Sequence, residues 1–160
     1  MIQYSVHPPS HYICQHSEKL LPGWSAPIRS IVVILQPADR ELTERCLATE
    51  LQKQALRSQF IEFGLKVVEL LRQLGHLAEL FDPKTGFPIL SEAGSLRLDD
   101  VAVVRSTLGY AIVPVGNCCT IVHPTWGSAV YPSILMSSAD SSLVESAVAG
   151  LLECHQSLSG

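Results

Sequence analysis

Residues 116–127, GNCCTIVHPTWG, place two adjacent cysteines, Cys118 and Cys119, close to His123 and to Trp126, one of the chain's two tryptophans. Thiolate, not thiol, is the ligand and the nucleophile, and it needs exposure or a positive environment. Gly116-Asn117 reads as a hairpin turn, so Cys118 falls at a turn-to-strand junction where exposure is expected. Successive side chains of a strand point to opposite faces. Cys119 shares its face with Ile121 and is expected in the core, which leaves Cys118 as the outward thiol. Along a strand rising about 3.3 Å per residue, Cys119 and His123 stand roughly 13 Å apart. Neither a Cys-His dyad nor a chelate forms locally unless the chain folds back. A soft thiolate with no second local ligand offers one coordination position to a soft metal centre. That suits a metal already held by a macrocycle better than a bare ion.

The other candidates read more plainly. A free cysteine is usually a small buried hydrophobe, and Cys14, Cys46, Cys119 and Cys154 are expected to be that. His123 reads as a hydrogen-bonding structural residue more than a ligand. Trp126 is either a core plug or a stacking surface for a flat ligand or partner. His7, His11 and His16 are scattered. No C-x-x-C pair, glycine-rich phosphate loop or internal repeat is present.

The surrounding elements must hold this stretch in place. Residues 2–6 alternate weakly as a short strand, and Ser10 is a plausible N-cap for a short helix reaching Leu21. Residues 30–35, SIVVIL, read as a strand buried on both faces and stopped by Gln36-Pro37. Residues 39–48 are ambiguous. From Glu50 onward Leu56, Phe60, Phe63, Val67, Leu70, Leu71 and Leu74 recur at helical steps, and Gly75 sits where a left-handed C-cap belongs. Residues 76–81 predict a returning strand, 82–86 (DPKTG) a turn, and 87–90 its hairpin partner. A helix over 98–108 carries Asp99 and Asp100 in its first turn, where the macrodipole favours them. Residues 110–115 form a strand interrupted by Pro114, which belongs on an edge or at a bulge. Strands over 119–122 and 128–136 complete an antiparallel meander. A last helix from Ser141 to about His155 turns Leu143, Ala147, Leu151 and Cys154 inward, with Val144, Val148 and Leu152 widening the apolar arc. The fold class is α+β, a mostly antiparallel sheet covered by helices.

Size and composition set limits. One domain spanning 1–160 can bury about two-thirds of its unfolded surface without staples. Apolar types make up 47% and charged types 16%, with a net charge of −4 and no basic run. Nothing resembles a nucleic-acid footprint, an anionic-membrane patch or a membrane span. The start lacks the pattern of a secretory signal or transit peptide. Five cysteines, an odd number, suit reduced thiols in a cytoplasmic setting better than a disulfide framework.

Phe60-Ile61, Gly75 with Ala78, FDPKTG at 81–86, Leu108-Gly109-Tyr110, Cys118-Cys119, His123 and Trp126-Gly127 occur in an order that resembles one family. It is the cobalamin-trafficking CblD family, the methylmalonic aciduria and homocystinuria type D proteins. The combination CC-x3-H-x2-WG after DPxTG is its most specific part. The resemblance runs from about Tyr4 to near the C-terminus and is strongest from Phe60. It implies a nitroreductase-like fold without a flavin site and a non-enzymatic adaptor role. It implies a CblC-type cobalamin-processing partner, with delivery of vitamin B12 to methionine synthase and methylmalonyl-CoA mutase in the cytoplasm or mitochondrion. It makes Cys118 the ligand to the cobalt of cob(II)alamin, with His123 and Trp126 at the cofactor site. Asn117 departs from the family pattern, in which glycine directly precedes the cysteines. The competing expectation is a thiol oxidoreductase or transferase using Cys118. No general base or oxyanion motif is identifiable beside that residue.

Overall fold

The structure, a computed structural model, describes residues 2–158. Strand β1 (Gln3–His7) leads through two short helices, α1 (His11–Gln15) and α2 (Ser17–Leu20), to β2 (Ser30–Pro37). A 27-residue helix α3 (Leu47–Gln73) and β3 (Ala78–Leu80) follow. Next come α4 (Asp100–Leu108), β4 (Ala111–Val115), β5 (Cys118–Val122), β6 (Val130–Ser137) and α5 (Ser141–Leu158). One sheet has the order β1-β2-β6-β3 and the other is the ribbon β4-β5, with every pairing antiparallel. The class is α+β.

Alternation along β2 divides the interior. Val32 and Ile34 face α3 and α5, meeting Phe60, Phe63, Val67, Val144 and Val148. Ile31, Val33 and Leu35 face the other way, toward Phe81, Val103, Val104 and Ile121. The strand is thus buried on both faces, as its β-branched run predicts. It does not stop at Gln36-Pro37: the ladder with β6 continues to Pro37↔Val130. Helix α3 buries Leu56, Phe60, Phe63, Val67 and Leu71 from the expected stripe, while Leu74 at its end is exposed. Gly75 closes the helix at φ 91°.

Residues 87–90 make only an isolated bridge, Phe81↔Pro88, in place of a paired strand. The cause is Glu79, a fully buried carboxylate on β3. It accepts the N–H groups of Leu80, Ile89, Leu90 and Ser91 at 2.5–3.2 Å, so the amides of 89–91 turn to a carboxylate, with only Ile89 also reaching the Leu80 carbonyl at 3.2 Å. Beside it, Arg57 of α3 grips Asp82 of the DPKTG turn through two charge-assisted bonds of 2.7 and 2.6 Å. That bond is the main reason the Asp82 carboxyl lies below the usual range.

The expected three-stranded meander is absent. β5 ends in a closed loop, and Ala129 and Ser128 then accept hydrogen bonds from Ala38 and Leu42. This steers β6 into the middle of the large sheet, between β2 and β3. α5 buries Val144, Ala147, Val148 and Leu152, whereas Cys154 is exposed, against the inward orientation expected for it. No helix among the described residues is long and apolar enough to cross a membrane.

Candidate functional site

Val115 pairs with Cys118, so Gly116-Asn117 is a two-residue loop and Cys118 is the first residue of β5. Gly116 has φ 60° and Asn117 does not have positive φ, the glycine-first arrangement of a II′ turn. Asn117 therefore completes the turn. The ladder pairs Pro114 with Cys119 and Ile112 with Ile121, so these four share the face turned toward α4. Cys118, Thr120, Val122, Ala111, Val113 and Val115 share the other.

Both thiols are exposed. For Cys118 that matches the expectation. For Cys119 the face was read correctly and the burial was not. Ile121 is 0% exposed beneath α4, but Cys119, two residues nearer the tip, lies beside the helix and stays exposed. It opens into a groove of about 380 Å³ lined by Asp99, Ala102, Arg105, Ser106 and Ile112. Cys14 is also exposed, and Cys46 is half-buried, so neither is the core filler expected. Cys46 stands at the N-cap of α3 with its sulfur 3.3 Å from Thr49 Oγ1. That hydrogen bond is the main cause holding its thiol below the ordinary value. β4 runs unbroken through Pro114, which an unpaired ribbon edge tolerates.

At the base of the ribbon, residues 123–127 close on themselves. The His123 and Gly127 amides and carbonyls exchange bonds of 2.8 and 2.9 Å, and Gly127 adopts φ 58°. His123 is 4% exposed. Its Nδ1 accepts the N–H groups of Thr125 and Trp126, both at 3.0 Å, so Nε2 carries the proton and donates to Gln3 Oε1 at 2.9 Å. The Trp126 ring stacks on His123 at 4.2 Å and 14°, and Tyr110 meets the imidazole edge-on at 5.5 Å. Burial pushes the His123 pKa down. Both ring nitrogens are thus occupied in building the loop that sets Trp126, whose indole packs partly against the core.

Two features escaped the sequence reading. Arg45, inside the ambiguous stretch, lays its guanidinium against the hairpin turn. A β-carbon at Gly116 would stand 3.1 Å from Nη2 and 3.6 Å from Cζ. No local pattern marks a contact 71 residues away. In α4 only Asp99 caps the helix, accepting the Ala102 N–H. Asp100 turns inward instead, one carboxyl oxygen buried without a partner. Burial, with Asp99 and Asp82 nearby, holds its carboxyl well above the usual range.

No cluster of three or more His, Cys, Asp or Glu side chains suited to a bare metal ion occurs among the described residues. The donor set at the hairpin fits a centre that needs one further ligand.

A family model, methylmalonic aciduria and homocystinuria type D protein, matches residues 3–148. Proteins named cobalamin trafficking protein CblD are similar over most of this chain. The rat protein is 24% identical over 122 residues, 76% of this chain and 41% of its own length. The mouse protein is 24% identical over 129 residues, 79% and 44% respectively, and the human protein is 23% identical over 122 residues. The chain spans less than half the length of these relatives.

Proposed function

The chain belongs to the methylmalonic aciduria and homocystinuria type D protein family, and from that premise we propose that it is a cobalamin-trafficking adaptor. Cys118 would supply its thiolate to the cobalt of cob(II)alamin while a CblC-type processing protein holds the cofactor. The cofactor then passes to a B12-dependent enzyme, methionine synthase or methylmalonyl-CoA mutase. The observation that carries this reading is the exposed Cys118 on the outer face of a two-residue hairpin, where no group of three or more His, Cys, Asp or Glu side chains gathers among the described residues. A lone soft donor suits a metal whose other positions a macrocycle fills.

Trp126 offers a flat, partly exposed ring beside the ribbon, and His123 contributes to the cofactor site by holding that ring. When bound, cobalamin would supply the cobalt chemistry; this chain supplies an exposed sulfur beside a two-residue turn. The fold expectation attached to this reading is a nitroreductase relation with no flavin bound. Its setting is the cytoplasm.

The test mixes the protein, cob(II)alamin and a CblC-type protein and follows the cobalt spectrum. Cys118→Ser is expected to abolish the thiolate-dependent change and Cys119→Ser to keep it. A change that survives Cys118→Ser sinks the assignment. Turnover of a dithiol or an electrophile without any partner would favour the thiol-enzyme alternative.

A further inference from the structure

Among the described residues the Arg45 guanidinium has neither a carboxylate partner nor a hydrogen bond. Arg57 is locked to Asp82, and Arg40 pairs with Glu44 at 3.4 Å. Arg45 is exposed and lies close to Gly116. Its segment is tied down by the bonds from Ala38 to Ala129 and from Leu42 to Ser128. A β-carbon at position 116 would crowd its Nη2 at 3.1 Å. Gly116 is required by its positive φ, and its lack of a side chain lets the guanidinium sit close to the turn. The result is an unpaired planar cation alongside the turn that presents Cys118.

We infer that Arg45 binds the rim of the corrinoid whose metal Cys118 ligates. The inference rests on the cobalamin reading above and assigns a second contact to the same site. A corrin is fringed by carboxamide arms. A corrin bound through the Cys118 sulfur would be wider than the hairpin, and its arms would offer carbonyl oxygens to a cation at the adjoining turn. A guanidinium presents five N–H donors in a fixed plane, suited to more than one such oxygen at once. Arg45 contributes affinity and orientation, and Cys118 contributes the bond to the metal. The two effects separate in experiment.

The experiment titrates wild-type protein, Arg45→Gln and Arg45→Lys into cob(II)alamin bound to a CblC-type protein, reading the cobalt–thiolate signal by electron paramagnetic resonance. Loss of charge-assisted hydrogen bonds predicts an apparent Kd about tenfold weaker for Arg45→Gln. Lys is expected to fall between, because it keeps the charge and loses the fork. The signal at saturation stays that of the wild type, since the sulfur still reaches the metal. A parallel titration of the partner without corrinoid should give the same affinity for all three proteins. Equal Kd values with corrinoid overturn the role of Arg45 and leave Cys118 untouched. Equal weakening with and without corrinoid also overturns it, because Arg45 would then be touching the partner protein. Absence of the thiolate signal in the wild type refutes the cobalamin reading and this inference together.

Discussion

Cys118 and Cys119 are adjacent and identical in chemistry, and the pleat alone separates them. One belongs to the open face of the ribbon and the other to the groove under α4. His123 shows the same dependence on surroundings. Its unprotonated Nδ1 accepts two loop amides, so protonation must break both. The pKa is lowered by burial, and the unfolded chain therefore binds this proton first, near pH 6.5. The sign follows: the contribution is complete above that value and is lost as pH falls through the folded-state pKa. His7, also lowered by burial, acts in the same direction. In a Trp24→Phe, His7→Gln background, Trp126 fluorescence and the thermal midpoint should fall together between pH 7.5 and 5. His123→Gln should flatten that response. An unchanged acid profile in His123→Gln would remove the imidazole from this role.

At the scale of elements, the hairpin is the part most dependent on one residue. Gly116 holds φ 60° with Arg45 close beside it. Gly116→Ala is expected to destabilise by about 1–2 kcal/mol, measured by urea unfolding, and to weaken the cobalt–thiolate signal by displacing Cys118. If stability and signal both matched the wild type, the turn would be more forgiving than its geometry implies. The long helix, β2, the DPKTG turn and the end of α4 were legible because each rests on local chemistry: apolar period, β-branched runs, proline with glycine, a glycine closing the helix; α4 starts two residues later than expected, with Asp99 as its cap. The partner strand at 87–90 was not, because Glu79 of a different element takes its amides. The meander was not, because sequence proximity cannot tell that the loop at 123–127 closes on itself and hands the chain to β2.

For the whole molecule, one four-stranded sheet carries apolar layers on both faces, so the layers are expected to unfold as a unit. Phe60 is fully buried on the α3–α5 side, while both tryptophans pack against the opposite layer. Phe60→Ala should cost about 3–5 kcal/mol. The tryptophan fluorescence and far-ultraviolet circular dichroism transitions should shift to the same lower denaturant midpoint. A fluorescence midpoint that stayed at the wild-type value would mean the two layers come apart independently.

Local patterns alone were enough for the α+β class, the doubly buried β2 and the exposed Cys118. Backbone sterics, hydrophobic period and strand alternation act over a few residues and can be read locally. Long-range packing set the rest: Cys119 opens into a groove beside α4, His123 spends both nitrogens on Gln3 and its own loop, and Arg45 reaches Gly116. Each of those depends on where one element ends relative to another far along the chain, and no local pattern encodes that offset.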